Sequence, residues 1–264
     1  MVDGGWQGQA GVGSAAGTAV ASWPIVELRQ YTLVPGGREV LVELFDRAFT
    51  ESQEELGMQI IGQFRDLDRA DRFVWLRGYL EMDSRPDRLT AFYTGPVWKE
   101  HSAAANATML DIDDVLLLRP VTDGGGFPLA SPLRPPLDAA VPAGSLITAT
   151  VYPLPGVDPA GEEAQLLDLL HSQVDPVLAE AGRHAVAELR TEPAANNFPA
   201  LPVREGEQVV VRFAAYDSEQ AHAAYQQRLR DSPAWQEIKP RLQAQLAGPA
   251  QRLRLRPTPR SRTR

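Results

Sequence analysis

In the segment VELRQYTLV, Val26 to Val34, three side chains with chemical potential stand at alternate positions: Glu27, Arg29 and Tyr31. On a strand, all three point the same way. A carboxylate, a guanidinium and a phenol on one face offer an acid/base, a holder for an anionic or enolate oxygen, and a hydrogen-bonding hydroxyl. A second alternation, in RFVWLRGYL, sets Phe73, Trp75, Arg77 and Tyr79 on one face. The chemical reading takes Glu27 as acid/base, with Arg29 and Arg77 holding the oxyanion and Trp75, Tyr79 and Tyr152 shaping an aromatic slot. Its pKa would be raised by burial or lowered by the neighbouring arginine. The competing reading makes Glu27 and the arginines an internal ion-pair network that keeps two sheets in register.

Further along the chain, Thr148, Thr150 and Tyr152 occupy the positions that match 27, 29 and 31, and HAVAELR adds His184, Glu188 and Arg190. Val209, Val211 and Phe213 make the following strand apolar. One half of the site is thus charged and aromatic and the other mostly apolar, which suits a small organic ligand with an acidic or carbonyl group. His171 and Asp175 are four apart on a helix, but two ligands do not make a metal site. His101 falls near a helix end, His222 reads as a surface residue, and only His184 is placed near a cavity. No histidine is clearly proximal to a haem pocket, so the expectation is no cofactor and no metal.

The chain has 264 residues, 26 Lys and Arg against 34 Asp and Glu, and no cysteine. That composition excludes disulfides, thiolate nucleophiles and Cys-held metal. A net charge of −8 argues against a phosphate backbone as partner. No GxGxxG follows a strand, the glycines at 124–126 lie in the linker, and no serine nucleophile elbow is present. The βαββαβ order also describes an RNA-recognition domain, but the acidic charge and the lack of an aromatic RNP pattern oppose it. No apolar run reaches membrane-spanning length, and the leader has no basic residue before Arg29. The expectations are a cytoplasmic protein with no membrane or nucleic-acid partner, a small organic ligand, and self-association left open.

Two segments of like grammar position these residues. In the first, Ile25–Val34 is a strand, PGG a turn, and about Arg38–Leu56 a helix carrying Val40, Leu41, Leu44, Phe45, Ala48 and Phe49 on one face. Strands follow in MQIIGQFRD and RFVWLRGYL. SRPD then reads as a capping box, the helical region continues brokenly to WKEH, and DVLLLRP closes as a strand. The second repeats this order from SLITATVYPL to PAQRLRLRP, with Pro176 expected to kink or restart its first helix. The expected layout is a disordered leader (1–23), a ferredoxin-like domain (24–120), a Pro/Gly-rich linker (121–143), a second ferredoxin-like domain (144–257) and a solvated basic tail (258–264). Two sheets with helices on one face each can cover one another and enclose a space. Val26 and Leu28 would then pack on helices while Glu27, Arg29 and Tyr31 face that space.

VELRQYTL with PGG, LGMQIIGQFRD, VWLRGYLEMDS and VWKEH together resemble the NIPSNAP family, within the dimeric α/β-barrel superfamily. The second half is similar to a more divergent copy. The superfamily usually joins two chains into a barrel, so the resemblance implies that this tandem chain forms one internally: an α+β fold of two ferredoxin-like units. It also implies relatives among cofactor-independent monooxygenases, polyketide-type cyclases and haem enzymes. The expectation is a small-molecule enzyme of bacterial specialised or catabolic metabolism using acid–base chemistry in the barrel interior: a cyclase, isomerase or monooxygenase. The alternative is a non-catalytic ligand-binding or protein-interaction scaffold. High Ala, Arg and Pro usage fits a GC-rich bacterial genome.

Overall fold

The computed structural model describes residues 23–127, 134–140 and 144–264. Strand β1 (Ile25–Leu33) is rich in β-branched and aromatic residues and ends at a turn where Gly36 takes φ +79°. A helical stretch follows: α1 (Gly37–Leu44), a π-helical turn (Phe45–Phe49) and α2 (Thr50–Glu55). Next come β2 (Gln59–Asp66), β3 (Arg72–Tyr79), α3 (Arg85–Thr94), α4 (Pro96–Asn106), a short β4 (Met109–Asp111) and β5 (Val115–Pro120). The second half runs β6 (Leu146–Pro153), α5 (Pro159–Leu169), another π-helical turn (Leu170–Val174), α6 (Asp175–Glu180), β7 (His184–Thr191), β8 (Val209–Tyr216), α7 (Glu219–Asp231), α8 (Pro233–Ala244) and β9 (Gln251–Pro257).

The two halves share three local features. Each half has a π turn in its first helix, a bulge in its second strand (Ile60/Gly62 and Ala185/Ala187), and a second helix interrupted before a proline. Because Pro176 follows only the second π turn, it is not the common cause. Ser218 and Ser232 cap α7 and α8 through their hydroxyls, whereas Ser84 makes no cap and instead bonds the Glu81 carbonyl. The SRPD capping box therefore does not form.

The two sheets join edge to edge, β2 to β9 and β5 to β7, and with β1 on β3 and β5 the eight long strands close into an antiparallel barrel. An eight-stranded barrel is just wide enough to be filled by side chains, and this one is. Val26, Leu28, Val74 and Leu76 meet Ile147, Val151, Val211 and Phe213 in a continuous apolar core. Gly62 is required there, since the Phe64 ring lies 2.4 Å from where a Cβ would stand. Phe127, from the proline-rich connection, packs edge-on to Phe213.

This reverses the expected faces. Val26 and Leu28 point into the barrel, which holds core rather than a ligand. Glu27, Arg29, Tyr31, Trp75, Arg77 and Tyr79 lie on the outer face, under the helices of the first half. Thr148, Thr150 and Tyr152 take the equivalent outer face of the second half. The leader's residues 1–22 lie outside the described residues.

The basic tail is docked, not solvated. Thr258 and Thr263 donate backbone N–H groups to the carbonyls of Gln63 and Ile61, and Arg260, 5% exposed, pairs with Glu51 and the Asp46 carbonyl. Beside it the Asp46 side chain is nearly covered, and burial pushes its carboxyl up to about 6 despite Arg260, Arg65 and Arg134. Because the folded-state value is raised, the cost is absent below about pH 4, where folded and unfolded chains are both protonated. It is fully present above about pH 6. Asp46→Asn should therefore raise stability by about 1–3 kcal/mol at pH 7 and leave it unchanged at pH 4. Thermal melts at the two pH values check this.

Candidate functional site between sheet and helices

Beneath the first-half helices, β1 and β3 run antiparallel with Glu27 opposite Arg77 and Arg29 opposite Trp75. Glu27 is wholly buried at the centre of an arginine cage. Arg77 donates Nε and Nη2 to its Oε2 at 2.9 and 2.6 Å, and Arg29 Nη1 reaches the same oxygen at 3.1 Å. Arg85 donates Nε and Nη2 to Oε1 at 2.8 and 2.6 Å, and the Tyr79 hydroxyl lies 3.3 Å from it. Burial opposes the charge on Glu27, but the arginines prevail and hold its carboxyl well below the usual carboxylate range.

The π turn completes the cage. Its widened backbone lets Thr50 Oγ1 donate to the Phe45 carbonyl and Gln53 Nε2 to the Phe49 carbonyl. Gln53 then accepts from Arg77 at 3.0 Å, and Asn196 and Asn197, from the second half, accept from Arg85. Three guanidinium groups face one carboxylate, and no other carboxylate hydrogen-bonds to them among the described residues. Arg29 Nη2 has no hydrogen-bond partner there either.

A cavity of about 290 Å³ adjoins this excess of positive charge, walled by Phe45, Phe49, Trp75, Phe92, Tyr93 and Trp98. Tyr31 also lines it and accepts a 2.9 Å hydrogen bond from Arg29 Nε. Burial pushes the Tyr31 phenol up, so it stays a neutral hydroxyl. The Trp75 indole N–H, buried in the same wall, has no partner among the described residues. Arg29 and Arg77 stand 5.7 and 5.0 Å from the Trp75 ring, so cation–π attraction holds both guanidinium groups against a wall of the cavity. Phe198 and Leu201, from the β7–β8 connection, cover it. No Asp, Glu or His lines it among the described residues.

Residues 26–123 match the NIPSNAP family. A NIPSNAP-like domain protein from Burkholderia xenovorans is 26% identical over 43% of this chain and 93% of its own, with a TM-score of 0.35. A NIPSNAP family protein from Agrobacterium tumefaciens is 20% identical over 46% and 92%, with a TM-score of 0.36. An anthrone oxidase-like protein is similar over 91% of this chain and 94% of its own, at 15% identity and a TM-score of 0.55, and so shares the fold of both halves. No curated protein matches.

The NIPSNAP half thus brings together Glu27, Arg29, Tyr31, Trp75, Arg77 and Tyr79, though only Tyr31 and Trp75 line its cavity. Tyr152 is on the far side of the barrel. Glu188 bonds His171 at 2.7 Å and faces Arg212 at 2.9 Å under the second-half helices. His184 is exposed, while His222 is 6% exposed and faces a second-half cavity. The His171/Asp175 pair is split, since Asp175 is taken by Arg183 and Arg212. No group of three metal-ligating side chains occurs among the described residues, nor any helix long and apolar enough to cross a membrane. Sequence reasoning missed Arg85, which stood inside the supposed capping box, and Gln53, whose only signal was a polar position on the buried face of its helix.

Proposed function

We propose that the protein is a small-molecule enzyme that binds a flat ring compound, as its phenolate or enolate, in the aromatic cavity of the NIPSNAP half. The observation carrying this reading is the pair of buried positive charges behind Tyr31 and Trp75 that no carboxylate among the described residues balances, beside a Trp75 N–H with no acceptor among those residues. In a low-dielectric slot such groups favour an oxyanion over its neutral acid. Glu27 serves as the counter-charge that orients Arg29 and Arg77. With no carboxylate or imidazole in the lining among the described residues, the chemistry supported is stabilisation of an anion rather than general-base catalysis by Glu27.

An electron-rich ring anion is what dioxygen attacks without a metal. The anthrone oxidase-like neighbour supports that class of reaction: a ring CH₂ loses two hydrogens, one oxygen atom becomes the new carbonyl and the other leaves in water. A bacterial oxidative pathway for aromatic compounds is the setting that fits. The absence of a proton acceptor in the lining also favours a carrier that holds the anion without turning it over.

The test is binding and oxygen uptake with anthrone and with 4-nitrophenol as an optical probe. Bound nitrophenol should ionise about one pH unit or more below its free value, and anthrone should consume one O₂ per molecule. Ionisation without oxygen uptake selects the carrier. A probe bound with an unchanged or raised pKa overturns the reading.

A further inference from the structure

Across the barrel, the matching space under the second-half helices is a cavity of about 440 Å³ with quite different chemistry. The register pairs Thr150 with Arg212 where the first half pairs Arg29 with Trp75. Arg212 lines the cavity, is 6% exposed, and leaves its Nη1 without a hydrogen-bond partner among the described residues. Its Nη2 and the Arg183 Nη1 share one oxygen of Asp175, at 2.5 and 3.0 Å, and its Nε faces Glu188 at 2.9 Å, so the charge of Arg212 is paired while its Nη1 stays open toward the cavity. Arg252 and Lys239 line this cavity and an adjoining lobe of about 280 Å³, which places them at the junction. Neither has an ion-pair partner among the described residues. Leu178, Leu229 and Trp235 supply apolar walls, and the hydroxyls of Tyr152, Tyr216 and Tyr225 supply donors.

We propose that this cavity is a second ligand site, selective for a small organic carboxylate whose anionic end sits against Arg212, Arg252 and Lys239 and whose ring or hydrocarbon body lies on Trp235 and Leu229. A planar guanidinium with a free N–H edge is the group that grips a carboxylate. A buried N–H without an acceptor is costly, and a carboxylate entering here would complete the Arg212 N–H while meeting the two cations that have no ion-pair partner. The apolar wall selects an anion with a carbon body over a bare inorganic one. The repeat has therefore diverged into two sites: an aromatic slot backed by hidden charge, and an open basic cleft that meets its ligand's charge directly.

The site is independent of the proposed oxidation and is tested without it. Thermal melts of the full chain with benzoate, with benzamide and with inorganic phosphate, at matched ionic strength, separate the terms. Benzoate at about ten times its Kd should raise Tm by about 3–5 °C, benzamide should not, and phosphate should do less than benzoate. Arg212→Gln should weaken benzoate about tenfold or more. Should that variant fail to fold, Arg252→Gln with Lys239→Gln removes two exposed cations that hold nothing together, and it should weaken benzoate by about threefold to tenfold. Trp98→Ala, in the other cavity, should leave it unchanged. Equal stabilisation by benzamide, full stabilisation of the Arg252/Lys239 variant, or its loss in Trp98→Ala overturns the proposal.

Discussion

Glu27→Gln should lower the stability of the protein by about 3–5 kcal/mol or more, because it removes the one negative charge from among three buried arginines. The amide keeps the shape of the carboxylate but cannot accept six donated contacts or balance any charge. If the loss comes from uncompensated cations, removing a cation should restore part of it. Glu27→Gln combined with Arg77→Met should therefore be more stable than Glu27→Gln alone, as a double-mutant cycle would show. The pH dependence has the same origin. Since the folded-state pKa of Glu27 is depressed, its stabilisation is present above the unfolded value of about 4.3 and is lost as pH falls toward the folded one. Wild type should lose stability steeply in acid, and Glu27→Gln should be flatter. A variant that melts like wild type at pH 7 would show that the cage does not need its anion.

The same residues show where the sequence could and could not be read. Strand alternation, the PGG turn and the order of elements located the strands because those signals are local. The choice of face was not local. Val26 and Leu28 are apolar and Glu27, Arg29 and Tyr31 are polar, so the helices appeared the natural home for the former. Both faces of β1 are in fact buried, and polarity then carries no direction. The deciding constraint is the bore of the closed barrel: eight strands leave room for Val, Leu, Ile, Ala and Phe but not for arginines. In β8, the inward run of Val209, Val211 and Phe213 hid Arg212 on the other face. Phe198 and Leu201 carried no readable signal, since only closure of the barrel brings that connection over the NIPSNAP half. Asn196 and Asn197 meet Arg85 for the same reason.

Arg29→Met should abolish the preference of the aromatic cavity for an ionised ring compound while leaving the cavity itself in place. Arg29 has no acceptor for Nη2, lies 5.4 Å from the Tyr31 ring, and donates from Nε to the hydroxyl that lines the cavity. In the proposed binding mode it is the cation through which the buried charge would act on a bound oxygen. Methionine keeps much of the volume, and Glu27 still has Arg77 and Arg85, so the fold is expected to survive better than in Glu27→Gln. The ionisation constant of bound 4-nitrophenol should return by about one to two pH units toward its free value. Turnover of an oxidisable substrate should fall by about a hundredfold to a thousandfold, the usual cost of losing an oxyanion donor. Tyr31→Phe separates the two layers of the device. If the hydroxyl relays the charge, it should lose most of the same effect with Arg29 intact; if the charge acts through space, it should lose little. Wild-type behaviour in Arg29→Met would leave the buried excess charge with no part in ligand binding.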